Sequence, residues 1–174
     1  AASTHPGEEQ LVIDAYQALS ERGLSTRLLL APRHPNRTGD IIKLLEKAGL
    51  KYQKRSDNVP VTIETDVLLI ATLGELSAFL GLADAAFIGG SLVPRGGHNP
   101  IEAAAWGCAV ITGPHVINFA TIVRDMERGG AIRVVTDQHE LADRLASVWE
   151  NEGQDSEARR ALTFIETRRG VTGR

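Results

Sequence analysis

The sequence is poor in the residues that characterise secreted, disulfide-bonded or membrane-spanning proteins. It has one cysteine, Cys108, so no disulfide can form within the chain, and we expect a buried, unreactive thiol in a reducing compartment. Uninterrupted apolar runs stay well below the ~20 residues that a helix needs to cross a bilayer. The first residues, AASTHPGEE, lack the basic and apolar regions of a signal peptide. They have the pattern of a strand end entering a loop and a helix, and we expect the chain to be a fragment whose beginning is missing.

The sequence also lacks an excess of basic residues. It has 19 Lys and Arg against 22 Asp and Glu, a net charge of −3. Such a chain cannot neutralise a phosphate backbone, and we expect no nucleic-acid partner. Its 174 residues, 43% of them apolar, suffice for one domain with a substantial core but not for two.

The histidines have no metal-binding pattern. His5, His34, His98 and His115 fit neither helix-borne nor zinc-finger spacing, and they lack cysteine or carboxylate partners at ligand spacing. We therefore expect no metal and no cofactor. Donation of hydrogen bonds to an anionic ligand is the better use of these side chains.

Strand-like apolar runs alternate with helical stripes along the chain. The runs are Leu28–Ala31, the segment around Tyr52 (an edge strand), Val67–Ala71, Ala85–Ile88, Ala109–Thr112 and Ile132–Val135; the stripes begin near Leu11, Ile41, Leu73, Asn118, Asp137 and Asp155. This order predicts a doubly wound parallel sheet with helices on both faces.

Blocks rich in glycine, proline, histidine and arginine follow the strands. They are Ser3–His5, Pro32–His34, Thr72–Glu75, Gly89–His98 and Gly113–Asn118. Ligands in parallel α/β sheets bind beyond the carboxyl ends of the strands. The sequence therefore predicts that these blocks form one site.

The block after Ile88 reads GGSLVPRGGHNPIEAAAWG and is the most informative. Its glycines bracket Arg95 and His98, and a helix is predicted to open at Asn99 with Pro100 as its first residue. A basic, glycine-rich turn before a helix suits a phosphorylated ligand. The alternative is a tight loop and a capped helix, with Asn99 as N-cap and Glu102 completing a capping box.

Two other blocks can likewise be interpreted either as ligand-binding segments or as purely structural ones. Arg33 is either a solvated loop residue or a fixed fork of donors for a phosphate or a base carbonyl. Thr72 and Glu75 form a capping box at the start of a predicted helix. Gly74 is a poor helix former there, costing roughly 1 kcal/mol against alanine. Close approach of a ligand to the backbone would explain it.

Five ordered blocks resemble the donor-binding half of the 3-deoxy-D-manno-octulosonic acid (Kdo) transferases, which build the inner core of bacterial lipopolysaccharide. They are STHPGEE (3–9), APRHPNR (31–37), TLGEL (72–76), the glycine-rich block (89–107) and TGPHVINF (112–119). The resemblance covers nearly the whole chain. It implies a Rossmann-like doubly wound parallel sheet, one half of a GT-B glycosyltransferase.

The resemblance also implies site residues. The positions expected to bind the cytidine monophosphate (CMP) of the donor are Pro32, Arg33, Leu73, Gly74, Glu75, Asn99, Pro100, Ile101 and Glu102, with Glu102 on the ribose hydroxyls. Further donor contacts are expected from Ser3, His5, Arg95 and His98. No catalytic residue is expected in this chain, because the family's general base, a glutamate, belongs to the amino-terminal half.

By the same resemblance, residues 1–174 are the C-terminal CMP-Kdo binding domain, and an N-terminal acceptor domain is absent. The implied reaction transfers Kdo from CMP-Kdo to a lipid A precursor, with inversion, at the cytoplasmic face of the bacterial inner membrane. The missing domain would bind the lipid and the membrane. The chain alone should bind CMP without catalysing transfer. Two alternatives remain: another GT-B transferase or epimerase using a uridine nucleotide sugar, and a non-catalytic nucleotide-binding module.

Overall fold

The computed structural model describes residues 1–150 and 156–171, and within these ranges seven parallel strands form one sheet. In chain order the strands are β1 (Ala2–Thr4), β2 (Leu28–Pro32), β3 (Tyr52–Lys54), β4 (Val67–Leu69), β5 (Ala85–Ile88), β6 (Ala109–Thr112) and β7 (Arg133–Val134). Their spatial order is β3-β4-β2-β1-β5-β6-β7, with β3 at an edge as predicted.

Helices cover both faces of this sheet. They are α1 (Glu8–Glu21), α2 (Thr38–Lys47), α3 (Leu76–Leu80), α4 (Ile101–Ala105), α5 (Ala120–Arg128), α6 (Gln138–Glu150) and α7 (Glu157–Val171). Buried residues of α1, α2 and α6 share one core cluster, and those of α3, α4, α5 and α7 share another on the opposite face. The predicted doubly wound, Rossmann-like architecture is confirmed.

Alternate residues of the central strands pack into the two cores on opposite faces of the sheet. In β5, Phe87 packs with α1 and α6, whereas Ala86 and Ile88 pack with α4 and α5. In β6, Ile111 packs into the core that contains α1 and α6, whereas Val110 packs into the core that contains α4 and α5. Because side chains of a strand point alternately to its two faces, a strand buried on both faces reads as a continuous apolar run.

The sheet reverses its strand order between β1 and β5. The chain leaves β1 toward β2 on one side and returns through β5 on the other. Gly89, at the end of β5, lies directly against β1: an added Cβ would lie 2.5 Å from the Ser3 carbonyl oxygen. Only glycine permits this approach. It brings the carboxyl ends of the two strands together at the point where ligands of such sheets bind.

Some element boundaries differ from those predicted. α3 begins at Leu76 rather than Leu73, because Gly74 has φ +79° and cannot continue a right-handed helix. α4 begins at Ile101, not Asn99, and α5 at Ala120, after a 3-10 turn over Ile117–Phe119. The helix expected from Asp155 begins within the described residues at Glu157, and Asp155 itself lies outside them.

The thiol of Cys108 is buried beside the carboxyl end of α3, as its sequence context predicted. It lies 3.3 Å from the Leu80 carbonyl oxygen, and burial raises its pKa to about 11. Among the described helices, none combines the length and the apolar character that a bilayer span requires.

We predict that Gly89→Ala destabilises the fold by about 1–3 kcal/mol, the usual cost of overpacking. Gly39→Ala is the matched control, because an added Cβ at this helical glycine meets nothing within 4 Å. It should gain up to about 1 kcal/mol from helix propensity. Urea unfolding of both variants checks the pair, and equal stabilities would contradict the close contact between β1 and β5.

Candidate functional site

The centre of the candidate site is a buried carboxylate, Glu8, at the first residue of α1. Its Oε2 accepts hydrogen bonds from the backbone N–H groups of Gly90 (2.7 Å) and His5 (2.9 Å). Its Oε1 accepts from those of Ser91 and Leu92, both at 2.9 Å. The loop after β5 is therefore fixed to the turn after β1 by one side chain.

Sequence reasoning missed this role for Glu8. Acidic residues early in a helix, such as Glu8 and Glu9, are favoured by the helix dipole, which does not require them to be buried. Both are fully buried, however, and a buried charge needs partners to offset its loss of hydration. The available signal was the order His-Pro-Gly-Glu-Glu directly after a strand, opposite a loop rich in unpaired backbone N–H groups.

Glu9 fixes a second loop. Its carboxylate binds Arg37 through two hydrogen bonds of 2.7 and 3.2 Å, which joins α1 to the 3-10 turn after β2. The same segment is held to β1, because the Arg33 N–H donates to the Thr4 carbonyl at 2.9 Å. The backbone of Arg33 and His34 is thus set by β1 and α1.

Ser91 connects the ends of β5 and β6. Its buried hydroxyl donates to the Ile88 carbonyl at 2.6 Å and accepts from the Gly113 N–H at 2.7 Å. The Ser91 carbonyl accepts from the His115 N–H at 2.9 Å. Gly113 has no room for a side chain, because an added Cβ would lie 2.3 Å from the Ser91 carbonyl. The blocks after these two strands therefore form one rigid unit.

Three of the four predicted ligand-binding histidines meet above Glu8. The Nε2 atoms of His5 and His98 are 2.8 Å apart, and the His34 ring lies edge-on to His5 with centroids 5.6 Å apart. Burial is the main factor that lowers the pKa of both His5 and His98. Within residues 1–150 and 156–171, no group of three or more His, Cys, Asp or Glu side chains is arranged to hold a metal ion.

Two exposed arginines add positive charge to this edge. Arg33 lowers the pKa of His98, and Arg95 lowers that of His5, so both guanidinium groups act on the histidine pair. Neither arginine has a carboxylate partner among the described residues. The edge is therefore cationic, and no described carboxylate pairs with Arg33 or Arg95 to neutralise it. Such an edge attracts anions.

The backbone of Ser3, a further predicted contact, is strained. Ser3 has φ +57°, which is rare for a residue with a Cβ, and it interrupts the pairing of β1 with β2. Strained backbone of this kind clusters at functional sites. Here it accompanies the contact between the Ser3 carbonyl and Gly89.

The Thr72–Glu75 segment is a turn before α3, so the predicted capping box at its helix start is wrong. The Thr72 hydroxyl donates to the Glu75 carboxylate, which also pairs with Arg55 at 3.0 Å. Gly74 is required by its positive φ, and this explanation replaces the one based on ligand approach. Leu73 is 87% exposed, an unusual position for a leucine.

The Asn99–Glu102 segment opens α4. The Asn99 Oδ1 accepts from the Ile101 N–H at 3.0 Å, so Asn99 does cap the helix, and Pro100 is buried behind it. The Glu102 side chain is exposed, and its carboxylate has no hydrogen-bond partner within the described parts of the chain. The capping-box interpretation of Glu102 is therefore wrong, and its carboxylate is free.

The predicted residues fall into two adjoining groups. His5 and His98 meet at the switch point with Arg33 and Arg95 beside them, while Leu73–Glu75 precedes α3 and Asn99–Glu102 opens α4. A hydrogen bond of 3.0 Å from Trp106 to Ser77 links those helices. No hydrogen bond or ion pair between described residues joins the two groups, but the chain does, because Asn99 follows His98.

Two cavities of about 510 and 550 Å³ lie elsewhere. Both are lined in part by Ala83 and Asp84, which precede β5, and the first extends along the sheet to Ala31 and Ile70; none of the predicted site residues lines either cavity. The first is mainly apolar, between Tyr16, Phe79 and Trp149. Since ligands of this architecture bind beyond the carboxyl ends of the strands, we assign the site to the carboxyl edge.

Comparison with known proteins agrees with the resemblance noted in the sequence. No protein-family model matches the chain. It is 44% identical over 124 residues to the 3-deoxy-D-manno-octulosonic acid transferase of Haemophilus influenzae. This alignment covers 71% of this chain and 29% of that protein. It is 42% identical over 134 residues to the Bordetella pertussis transferase, covering 75% and 31%. The chain is homologous to the Kdo transferases. It spans about 30% of the length of these curated relatives.

A solved structure extends the likeness to the fold. The C-terminal CMP-Kdo binding domain of WaaA from Acinetobacter baumannii matches with a TM-score of 0.85 and 27% identity, over 99% of this chain and 87% of that one. The predicted relationship to the Kdo transferases is thus confirmed, both in sequence and in fold.

We predict that Glu8→Gln destabilises the fold by about 1.5–3 kcal/mol, the range for hydrogen bonds to a charged group. The amide nitrogen would face backbone N–H donors. Exchange of the Gly90, Ser91 and Leu92 amides should accelerate. Asp14→Asn, the same change on the same helix at a partly exposed position, should change stability by less than about 0.5 kcal/mol. Unchanged amide exchange in Glu8→Gln would contradict its role.

Proposed function

We propose that this chain is the C-terminal, donor-binding domain of a Kdo transferase and binds CMP-Kdo, and CMP, at the carboxyl edge of its sheet. The observation that carries the proposal is the match, over 99% of the chain, to a domain described as CMP-Kdo binding. The cationic edge at the switch point supports it independently, because CMP-Kdo carries a phosphate and a carboxylate.

We assign the donor to the two groups of residues in two parts. The phosphate belongs beside Arg33, whose planar fork suits phosphate oxygens, and beside His5 and His98. The nucleoside belongs at Leu73–Glu75 and Asn99–Glu102, where Glu102 has a free carboxylate for the ribose hydroxyls. Arg95 and Ser3 lie at the same edge and complete the donor contacts.

In the proposed reaction, Kdo passes from CMP-Kdo to a lipid A precursor with inversion at the anomeric carbon. Departure of CMP leaves negative charge on its phosphate, and fixed donors at that position stabilise the transition state. Arg33 and the histidines supply such donors. This half of the enzyme would therefore hold the leaving group.

The general base is assigned to an N-terminal GT-B domain outside this sequence. The exposed Glu102 is assigned to the ribose hydroxyls, and the two buried acidic residues at the site are engaged: the Glu8 carboxylate accepts four N–H groups, and Glu9 is paired with Arg37. Neither is available to accept a proton from an acceptor hydroxyl. We expect the 174-residue chain to bind CMP but not to catalyse transfer. Lipid A binding and attachment to the cytoplasmic face of the inner membrane are assigned to the other domain.

Calorimetric titration of the chain with CMP, UMP and AMP tests the proposal. CMP should bind the tightest of the three, although weakly, because the site is open to water. A preference for UMP would instead favour a transferase or epimerase of uridine nucleotide sugars. Absence of binding by all three would contradict nucleotide binding altogether.

Arg33→Ala should weaken CMP binding by about 1.5–3 kcal/mol, the range for a hydrogen bond to a charged group. The melting temperature should barely change, because the side chain is exposed. Arg22→Ala is the control: this arginine pairs with Asp143, away from the site, and its removal should leave the affinity unchanged. A large fall in melting temperature with unaltered affinity would show that Arg33 stabilises the fold and does not bind CMP.

Glu102→Gln should leave stability unchanged, since this carboxylate makes no hydrogen bond within the described residues. It should weaken CMP binding, and it should reduce the preference of the wild type for CMP over 2′-deoxy-CMP. Calorimetry with both nucleotides measures the two effects. If the variant retains the wild-type affinity and the wild-type preference, Glu102 does not bind the ribose.

A further inference from the structure

We propose that His5 and His98 form a proton-accepting anion subsite: the pair takes up one proton from solvent when an anionic oxygen of the ligand approaches. This inference rests on the proposed function and adds a proton-coupled step to it. The anionic oxygen belongs to the phosphate or to the sugar carboxylate of the donor, and the experiment below distinguishes the two.

The geometry of the pair is that of an N–H···N hydrogen bond in the plane of both rings. The Nε2 atoms are 2.8 Å apart, the ring planes differ by 6°, and the centroids are 5.1 Å apart. This centroid distance equals the distance between the two Nε2 atoms plus the distance from each ring centre to its own Nε2. The rings are therefore joined end to end and are not stacked face to face. One Nε2 must donate and the other must accept.

This arrangement determines where a further proton can go. With one N–H shared between the Nε2 atoms, the donor ring has a bare Nδ1 while the acceptor ring carries its proton on Nδ1. A further proton enters at the bare Nδ1 and makes both outer nitrogens donors. A second further proton would place two N–H groups against each other at 2.8 Å. The pair is therefore limited to a net charge of +1.

Neither outer nitrogen is engaged in the structure. No hydrogen bond to the Nδ1 of His5 or of His98 exists within residues 1–150 and 156–171. The rings also lie against Gly90, where an added Cβ would be 3.0 Å from His98 and 3.3 Å from His5. Since Glu8 holds the backbone N–H groups of both His5 and Gly90, the pair is preorganised, and His98 is its more exposed member.

Burial, together with the neighbouring positive charges, keeps the pair uncharged until an anion arrives. Burial lowers the pKa of both rings, and the nearby His34, Arg33 and Arg95 lower it further. Glu8 and Glu9 act in the opposite direction, but their oxygens are occupied by backbone N–H groups and by Arg37. A lowered pKa means that the free pair is deprotonated at neutral pH. The negative charge that would favour the proton has to come from the ligand.

The test is a pH titration of the imidazole nitrogens by ¹⁵N NMR, on the whole 174-residue chain. It is run without ligand and with saturating CMP, with cytidine, and with free 3-deoxy-D-manno-octulosonic acid. We expect an anionic ligand to raise the pKa of the pair by at least about one pH unit, as an opposite charge at contact distance does. Cytidine should leave it unchanged. A rise with CMP alone assigns the phosphate, and a rise with the acid alone assigns the carboxylate.

Two variants complete the test. His98→Gln keeps a polar side chain of similar length but removes the second ring, and it should reduce the ligand-dependent shift at His5. His139→Gln, at an exposed position at the start of α6, should not alter it. An unchanged titration of the pair, while backbone amide shifts report bound CMP, would overturn this inference and leave the proposed function intact. Absence of amide shifts with CMP and with the acid would contradict both.

Discussion

Four backbone N–H groups converge on the buried Glu8 carboxylate, and the geometry of the whole carboxyl edge depends on this interaction. It joins the turn after β1 to the loop after β5, the two neighbouring strand ends at which the sheet reverses its order. A carboxylate without these donors would be very costly to bury, and the loop without the carboxylate would have unpaired N–H groups. Ser91 and Glu9 extend the same rigid unit to β6 and to the segment after β2.

The architecture was predictable because the sequence records it locally. Buried parallel strands read as apolar runs, and β5 and β6 have the predicted bounds. The meeting of the glycine- and arginine-containing blocks at one edge followed from the parallel order of the strands, whose carboxyl ends lie together. The role of Glu8 was not predictable in this way, since its partners Gly90–Leu92 are 82 to 84 residues away. Local patterns also misplaced the starts of α3 and α4, where a glycine with positive φ and an Asn-Pro turn delay the helix.

Positive charge and rigidity coincide at this edge. Arg33 and Arg95 have no carboxylate partners in the described chain, whereas Glu8 and Glu9 are buried and engaged by backbone N–H groups and by Arg37. The fold therefore preserves an uncompensated cationic surface above a fixed framework. Fixed donors of this kind need no reorganisation when charge develops on a leaving phosphate. This combination of charge and preorganisation is the physical basis for the role we propose in holding a nucleotide sugar.

The most direct test of the site is a map of backbone amide shifts during titration of the ¹⁵N-labelled chain with CMP. The account predicts that the largest changes cluster at the carboxyl edge, at Arg33, Gly90–Leu92 and Asn99–Glu102. Changes centred instead on the apolar cavity around Tyr16, Phe79 and Trp149 would contradict it.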